Sequence, residues 1–339
     1  MFRNGQPRQR IFESCRRRGK EDSGVTCVDL EAAAERRRCL APSQTDDDFA
    51  CRDHSIHASS PAEMDSLKYL GSVVASAVIP VGYVGLIQIF DYNGVDRDHP
   101  ESLVKRFCAA FLHNALSVSA CYLLLDHVEN PFHEMGFRVN GTLAAIGGST
   151  LLTGIFYFGN FLEKLHDEMN YPFGIGLFSL RSWINSFKEL TFVRNTLVAP
   201  ITEEIGFRAC SATLFYRFFG WNGAVFVAPL FFSLSHLHHI PNDMRNGFTK
   251  ERAIKLRAFQ ATYSYLFGAY ATFIFLRTNH ILVPIISHSI CNNFGLPNYG
   301  FSSRNKKWTY AVIGGHIVGL LGWLALVRPL TSRDLFLSL

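Results

Sequence analysis

What most constrains this chain is a succession of apolar segments, each near the ~20 residues a helix needs to cross the hydrocarbon core of a bilayer. They fall at 67–90, 107–125, 141–162, 190–215, 221–239, 257–276, 280–296 and 308–327. Within lipid the backbone finds no water, so a spanning segment must close its hydrogen bonds internally, and segments of this length do so as helices. Several contain Gly and Pro, which membrane helices tolerate better than soluble ones. The expected fold class is all-α: a polytopic integral membrane bundle of about eight transmembrane helices. The seventh segment is the shortest. Residues 171–189 (YPFGIGLFSLRSWINSFKE) are interrupted by Arg181, Asn185 and Lys188, and suit a helix lying in the interface.

Charge is spread unevenly. Residues 1–66 hold 23 of the chain's 61 charged residues, which leaves the rest at about half the density of an ordinary globular chain. That excludes a soluble enzyme with a usual surface, and equally a mainly disordered chain. The first 66 residues are poor in Ile, Val and Tyr and carry blocks such as Arg16-Arg17-Arg18, Arg36-Arg37-Arg38 and Asp46-Asp47-Asp48. They cannot bury enough apolar surface to offset the entropy of ordering, so a disordered N-terminal tail is expected. It lacks the apolar core of a cleavable signal peptide. The expected organisation is a polar tail at 1–66, a transmembrane domain at 67–330 and a short C-terminal tail at 331–339. Cys15, Cys27, Cys39 and Cys51 recur at intervals of twelve without the close ligand pairs of a metal site, which reads as coincidence. Met64 stands just before the first apolar segment, where a translation start would be plausible. The net charge of +5 arises in the loops and gives no reason to invoke nucleic acid.

Basic residues in short loops set orientation. The loops after segments one, three, five and seven hold 15 Lys/Arg when the border residues Arg194 and Arg257 are counted with them; those after two, four and six hold Arg138, Arg217 and Arg277. This bias places the odd loops in the cytosol and both termini on the far side. Asn140-Gly141-Thr142 is a glycosylation sequon on that far side, though it abuts the third segment.

A charged side chain inside a membrane segment costs about 2.5–3.5 kcal/mol even on lenient insertion scales, so each one suggests a site. The fourth segment contains Glu203, Glu204 and Arg208 within six residues. On a helix Glu204 and Arg208 share a face and can pair, whereas Glu203 points about 100° away with no partner of its own. A lone carboxylate beside a like charge suits a general base. The fifth segment ends FFSLSHLHHI with His236, and the seventh holds PIISHSICNNFG, in which His288 and Asn292 share a face. A plain structural role, hydrogen bonding between helices, competes for each histidine. With the odd loops cytosolic, Glu203, His236, His288 and Asn292 all fall in the cytosolic half of the bilayer. A carboxylate, two imidazoles and a carboxamide gathered there can activate water and stabilise an oxyanion.

These residues carry a resemblance. EEIGFR (203–208), FSLSH (232–236) and HSICN (288–292) match EExxxR, FxxxH and HxxxN, in order and on separate segments. The chain thereby resembles the type II CAAX prenyl endopeptidases, the Ras-converting enzyme group within the CPBP membrane proteases, over roughly residues 67–330. The resemblance implies an intramembrane endopeptidase that removes the C-terminal tripeptide from prenylated CAAX proteins, Ras-like small GTPases among them, in the endoplasmic reticulum membrane. It implies that Glu203 and His236 activate water, that His288 and Asn292 stabilise the oxyanion, and that Glu204 and Arg208 order the helix. It implies no metal and no organic cofactor, with membrane lipid as the surrounding partner and the site open to the cytosol.

Two alternatives stand beside it. A zinc-dependent protease would normally show HExxH. His133-Glu134 comes nearest, but position 137 is Phe, leaving only a metal assembled from Glu203, His236 and His288. A non-catalytic scaffold or transporter would spread its polar residues through the full depth of several segments. Oligomeric state and prenyl-chain preference have no signature in the sequence.

Overall fold

The computed structural model describes residues 66–92, 96–170 and 176–337. The expected tail, Met64 and the spaced cysteines lie outside these residues. The described residues are helical, with no strand among them. The helices are α1 (Ser66–Phe90), α2 (Pro100–Leu124), a single turn α3 (Pro131–Glu134), α4 (Thr142–Phe156), α5 (Phe158–Asn170) and α6 (Leu180–Ser186). A helical run from Leu190 to Arg245 follows. It breaks at Gly220, whose φ of 63° no helix accommodates, into α7 (190–219) and α8 (221–245). Last come α9 (Lys250–Thr278), α10 (Leu282–Phe294), α11 (Lys306–Leu330) and α12 (Arg333–Leu337).

Every one of the eight apolar segments is helical, but eight crossings are not what length and composition give. Four stretches qualify: Lys68–Phe90, Pro100–Leu124, Leu190–Arg245 and Lys306–Leu330; the pair α4–α5 makes a fifth if counted as one bent span. That pair bends by 75° after Phe156, where the sequence turns from apolar to Glu163, Lys164, Asp167 and Glu168. Helix α10 has 13 residues, about 20 Å at 1.5 Å per residue, too short for the ~30 Å hydrocarbon core. It is held inside the bundle instead. The residues expected as a C-terminal tail include α12, which folds back and buries Phe336 against α4.

The outer surface is what lipid requires. Val74, Val78 and Val81 on α1, Leu116 and Leu123 on α2, and Ile317, Val318, Leu321 and Leu324 on α11 are all exposed. In water such a surface would be a liability; facing acyl chains it costs nothing. Exposed Phe178, Trp183 and Phe187 flank or sit on α6, as expected of an interfacial helix. Between helices, hydrophobicity supplies little drive in lipid, so close packing and hydrogen bonds must hold them. Ser211 on α7 donates to the Ser76 carbonyl of α1 (2.6 Å), and Thr153 on α4 donates to Ser287 on α10 (3.0 Å).

Of the four apolar clusters among the described residues, the two largest position the site. One joins Ile79, Cys121, Ala209, Cys210, Leu214 and Phe275, from α1, α2, α7 and α9. The other joins Ala145, Leu152, Ile274, Val283 and Val327, from α4, α9, α10 and α11. Helix α9 contributes to both, and the site lies where α7 of the first half meets α10 of the second.

The second half depends on a close approach of α11. A Cβ on Gly319 would lie 2.5 Å from the Ile155 carbonyl oxygen, a distance no side chain tolerates. Gly319→Val is expected to cost about 1–3 kcal/mol by overpacking. Thermal melting of the detergent-solubilised variant measures it, and a melting temperature equal to the parent's would show that the contact is dispensable.

Candidate active site

Glu203, Glu204 and Arg208 sit where α7 changes its winding. The helix is π-wound at Arg194–Val198, α-wound at Ala199–Glu204 and π-wound again at Ile205–Ala212. Such segments are rare and recur at functional sites, because they shift the phase of the side chains that follow. Glu204 is fully buried and Arg208 nearly so. Their expected pairing is present: Arg208 Nη1 donates to Glu204 Oε1 at 2.8 Å. The guanidinium lies over Phe232 and Phe267 (5.3 and 5.8 Å to the ring centres), and a second amino group donates to the Gly268 carbonyl at 3.4 Å. One buried cation thus ties α7 to α8 and α9.

Glu204 Oε1 also accepts from His288 Nδ1 at 2.6 Å. A carboxylate that fixes one ring nitrogen sets both the orientation and the tautomer of the imidazole. The other nitrogen, Nε2, faces Glu203 Oε2 at 3.9 Å. That is too long for a hydrogen bond and short enough for both groups to address one small molecule. Glu203 keeps a fifth of its side-chain surface open, while Glu204 keeps none. Neighbouring carboxylates thus serve as an open group and a buried prop.

The rotation of α10 relative to α7 is fixed by side chains of α10 reaching backbone oxygens of the first π-wound segment. Ser289 donates to the Thr196 carbonyl (2.7 Å) and Asn292 to the Asn195 carbonyl (3.0 Å). Asn293 donates to Thr196 Oγ1 (3.2 Å) and to the Ser289 carbonyl (2.8 Å). One amide hydrogen of Asn292 is committed in this way and its second remains. His236 opens the tight turn His236–His239 inside α8, its ring edge-on to Phe232 at 5.3 Å.

Glu203, His236, His288 and Asn292 all line one cavity of about 730 Å³. The sequence placed these groups in one half of the bilayer; the fold brings them to one void. Among the described residues, the imidazole in an ion-pair contact with Glu203 is His288. Among the described residues, no three His, Cys, Asp or Glu side chains are gathered as a metal would require.

The cavity also holds residues that the sequence did not single out. Tyr83 of α1 shares a buried hydrogen bond with Thr202, next to Glu203 (2.8 Å). Arg97, Arg106 and Arg194 line the same void; by sequence they are ordinary basic residues in or bordering the loops. On the other side Phe156, Tyr157, Tyr270 and Trp323 line it with aromatic surface.

Residues 185–294 match the family described as Type II CAAX prenyl endopeptidase Rce1-like. The chain is 40% identical over 272 residues to CAAX prenyl protease 2 of Caenorhabditis elegans, spanning 78% of this chain and 98% of that one. It is 31% identical to the human protein of that name, spanning 79% of this chain and 83% of that one. Against CAAX prenyl protease 2 of Arabidopsis thaliana the identity is 29%, over 70% and 82% of the two chains. No solved structure matches significantly.

Proposed function

The chain belongs to the type II CAAX prenyl endopeptidase family, and on that premise we propose how its cavity cleaves the peptide bond after a prenylated cysteine. The protein is a multi-pass membrane hydrolase acting on prenylated CAAX proteins. The observation that carries the mechanism is the convergence of Glu203, His236, His288 and Asn292, from α7, α8 and α10, on one void.

In the proposed reaction Glu203 takes a proton from a water molecule, whose oxygen adds to the carbonyl carbon of the prenylated cysteine. The electron pair displaced onto the carbonyl oxygen forms an oxyanion, met by the free amide hydrogen of Asn292 and by His288. His236 shuttles that proton from Glu203 to the departing amine as the carbon–nitrogen bond breaks, releasing the tripeptide and leaving a new carboxylate on the cysteine. Donors fixed before the reaction act strongly in a cavity poor in water.

One observation favours a second division of labour. Because Glu204 holds Nδ1 of His288 at 2.6 Å, the neutral ring presents Nε2 as an acceptor toward Glu203. His288 would then relay the water proton, leaving the oxyanion to Asn292, and His236 would serve the leaving group alone.

The basic loops support a site opening toward the cytosol, where prenylated proteins are made, in the endoplasmic reticulum membrane. Ras-like GTPases are the proposed substrates and bilayer lipid the partner around the cavity. Each CH2 of an isoprenoid contributes about 0.8 kcal/mol on burial, enough to select a short peptide with few other features. The test is direct. Detergent-purified protein is expected to release the tripeptide from a farnesylated CAAX peptide, and to keep its rate in excess EDTA. Failure to release it overturns the reading; loss of turnover in the chelator, restored by zinc, would replace the glutamate mechanism with a metal one.

A further inference from the structure

We propose that Arg97 binds the C-terminal carboxylate of the substrate, so that the cavity reads the end of the chain at one wall and the isoprenoid at the other. This rests on the proposed cleavage and adds a recognition group to it. A peptide cut three residues from its end carries a terminal carboxylate into the cavity on every turnover. Taking such a group out of water is costly unless a cation with free hydrogen-bond donors meets it.

Three arginines line the cavity, and two are engaged. Arg106 holds Asp91 at 2.6 Å, and Arg194 holds Asp98 at 2.6 Å. Among the described residues, the ion-pair partner of Arg97 is that same Asp98 oxygen, at 3.7 Å. This is beyond hydrogen-bond length and directed at an atom already accepting from Arg194. Arg97 therefore presents a guanidinium with donors to spare at the edge of the void.

The two walls are set apart by the catalytic helix. Arg97 lies in the turn before α2, and α7 packs against α2 on one side and against α10 on the other. Beyond α10 lie α4 and α11, which bring Phe156 and Trp323 to the cavity, with Tyr157 alongside. The cavity that holds Glu203 thus takes its arginines from around α2 and the start of α7, and Phe156 and Trp323 from α4 and α11. A CAAX substrate has the matching polarity, with the isoprenoid on the cysteine before the scissile bond and the carboxylate three residues after it. Fully extended, those three residues span at most about 10 Å.

The experiment compares a farnesylated CAAX peptide with its C-terminal amide, in the intact protein and in Arg97→Gln and Arg97→Lys. The intact protein is expected to favour the acid by about 10- to 100-fold in kcat/KM, the range of a hydrogen bond to a charged group. Arg97→Gln is expected to lose that preference by slowing the acid alone, and Arg97→Lys to recover part of it. Continued turnover of the amide shows that the variant is folded. Equal use of acid and amide by the intact protein overturns the proposal, as does a variant that slows both alike. An intact protein that cleaves neither peptide overturns the protease reading itself, which is a separate result.

Discussion

Glu203→Gln is expected to reduce release of the tripeptide by about 10²- to 10⁴-fold, the range that a positioned general base contributes. Glutamine preserves the volume and the hydrogen-bonding reach of the side chain but cannot take the proton of water. Because Glu203 faces the cavity and keeps a fifth of its surface open, no buried network depends on its charge. The melting temperature should therefore hold and KM should change little, so that the whole loss falls in kcat. Glu204→Gln is the informative contrast. That carboxylate is fully buried and bonded to both Arg208 and His288, so its variant should lose stability and activity together. If Glu203→Gln turns over at a rate near the parent's, Glu203 is not the base and the mechanism fails at its first step.

The difference between those two neighbouring carboxylates shows what the sequence revealed. Ionisable and amide side chains inside an apolar segment are conspicuous because they are costly to bury, so Glu203, Glu204, Arg208, His236, His288 and Asn292 all stand out in the sequence. The i, i+4 spacing further predicted the Glu204–Arg208 pair, and the structure contains it. What spacing alone did not reveal was which imidazole faces which carboxylate. That depends on the rotation of α10 against α7, set by hydrogen bonds to the carbonyls of Asn195 and Thr196. A backbone oxygen has no sequence signature, and neither does a stretch of π winding. Arg97 was hidden for the opposite reason: arginine is ordinary in a loop, and only the fold turns it toward the cavity. The bundle itself was legible from hydropathy. The number of crossings was not, because hydropathy reports that a segment avoids water, not whether lipid or protein shelters it. In α10 protein shelters Val283, Pro284, Ser287 and His288.

Arg208→Ala should be the most damaging single change to the fold, at about 3–5 kcal/mol, because it leaves the Glu204 carboxylate buried without its cation. Arginine stays protonated in any protein environment, and here the charge is compensated by one carboxylate and two aromatic faces. The same reasoning predicts that removing both charges does less harm than removing one. Glu204→Gln combined with Arg208→Met replaces the pair by an amide and a flexible apolar chain able to lie between Phe232 and Phe267. Its melting temperature in detergent should exceed that of Arg208→Ala and approach the parent's. Turnover should recover only in part, because an amide oxygen accepts more weakly than a carboxylate from Nδ1 of His288 and holds the ring less firmly. Such a separation, stability regained while kcat stays low, would assign the buried pair a positioning role beyond its part in folding. If Arg208→Ala melts with the parent, the ion pair holds neither the helices nor the histidine, and the orientation of His288 must be sought elsewhere.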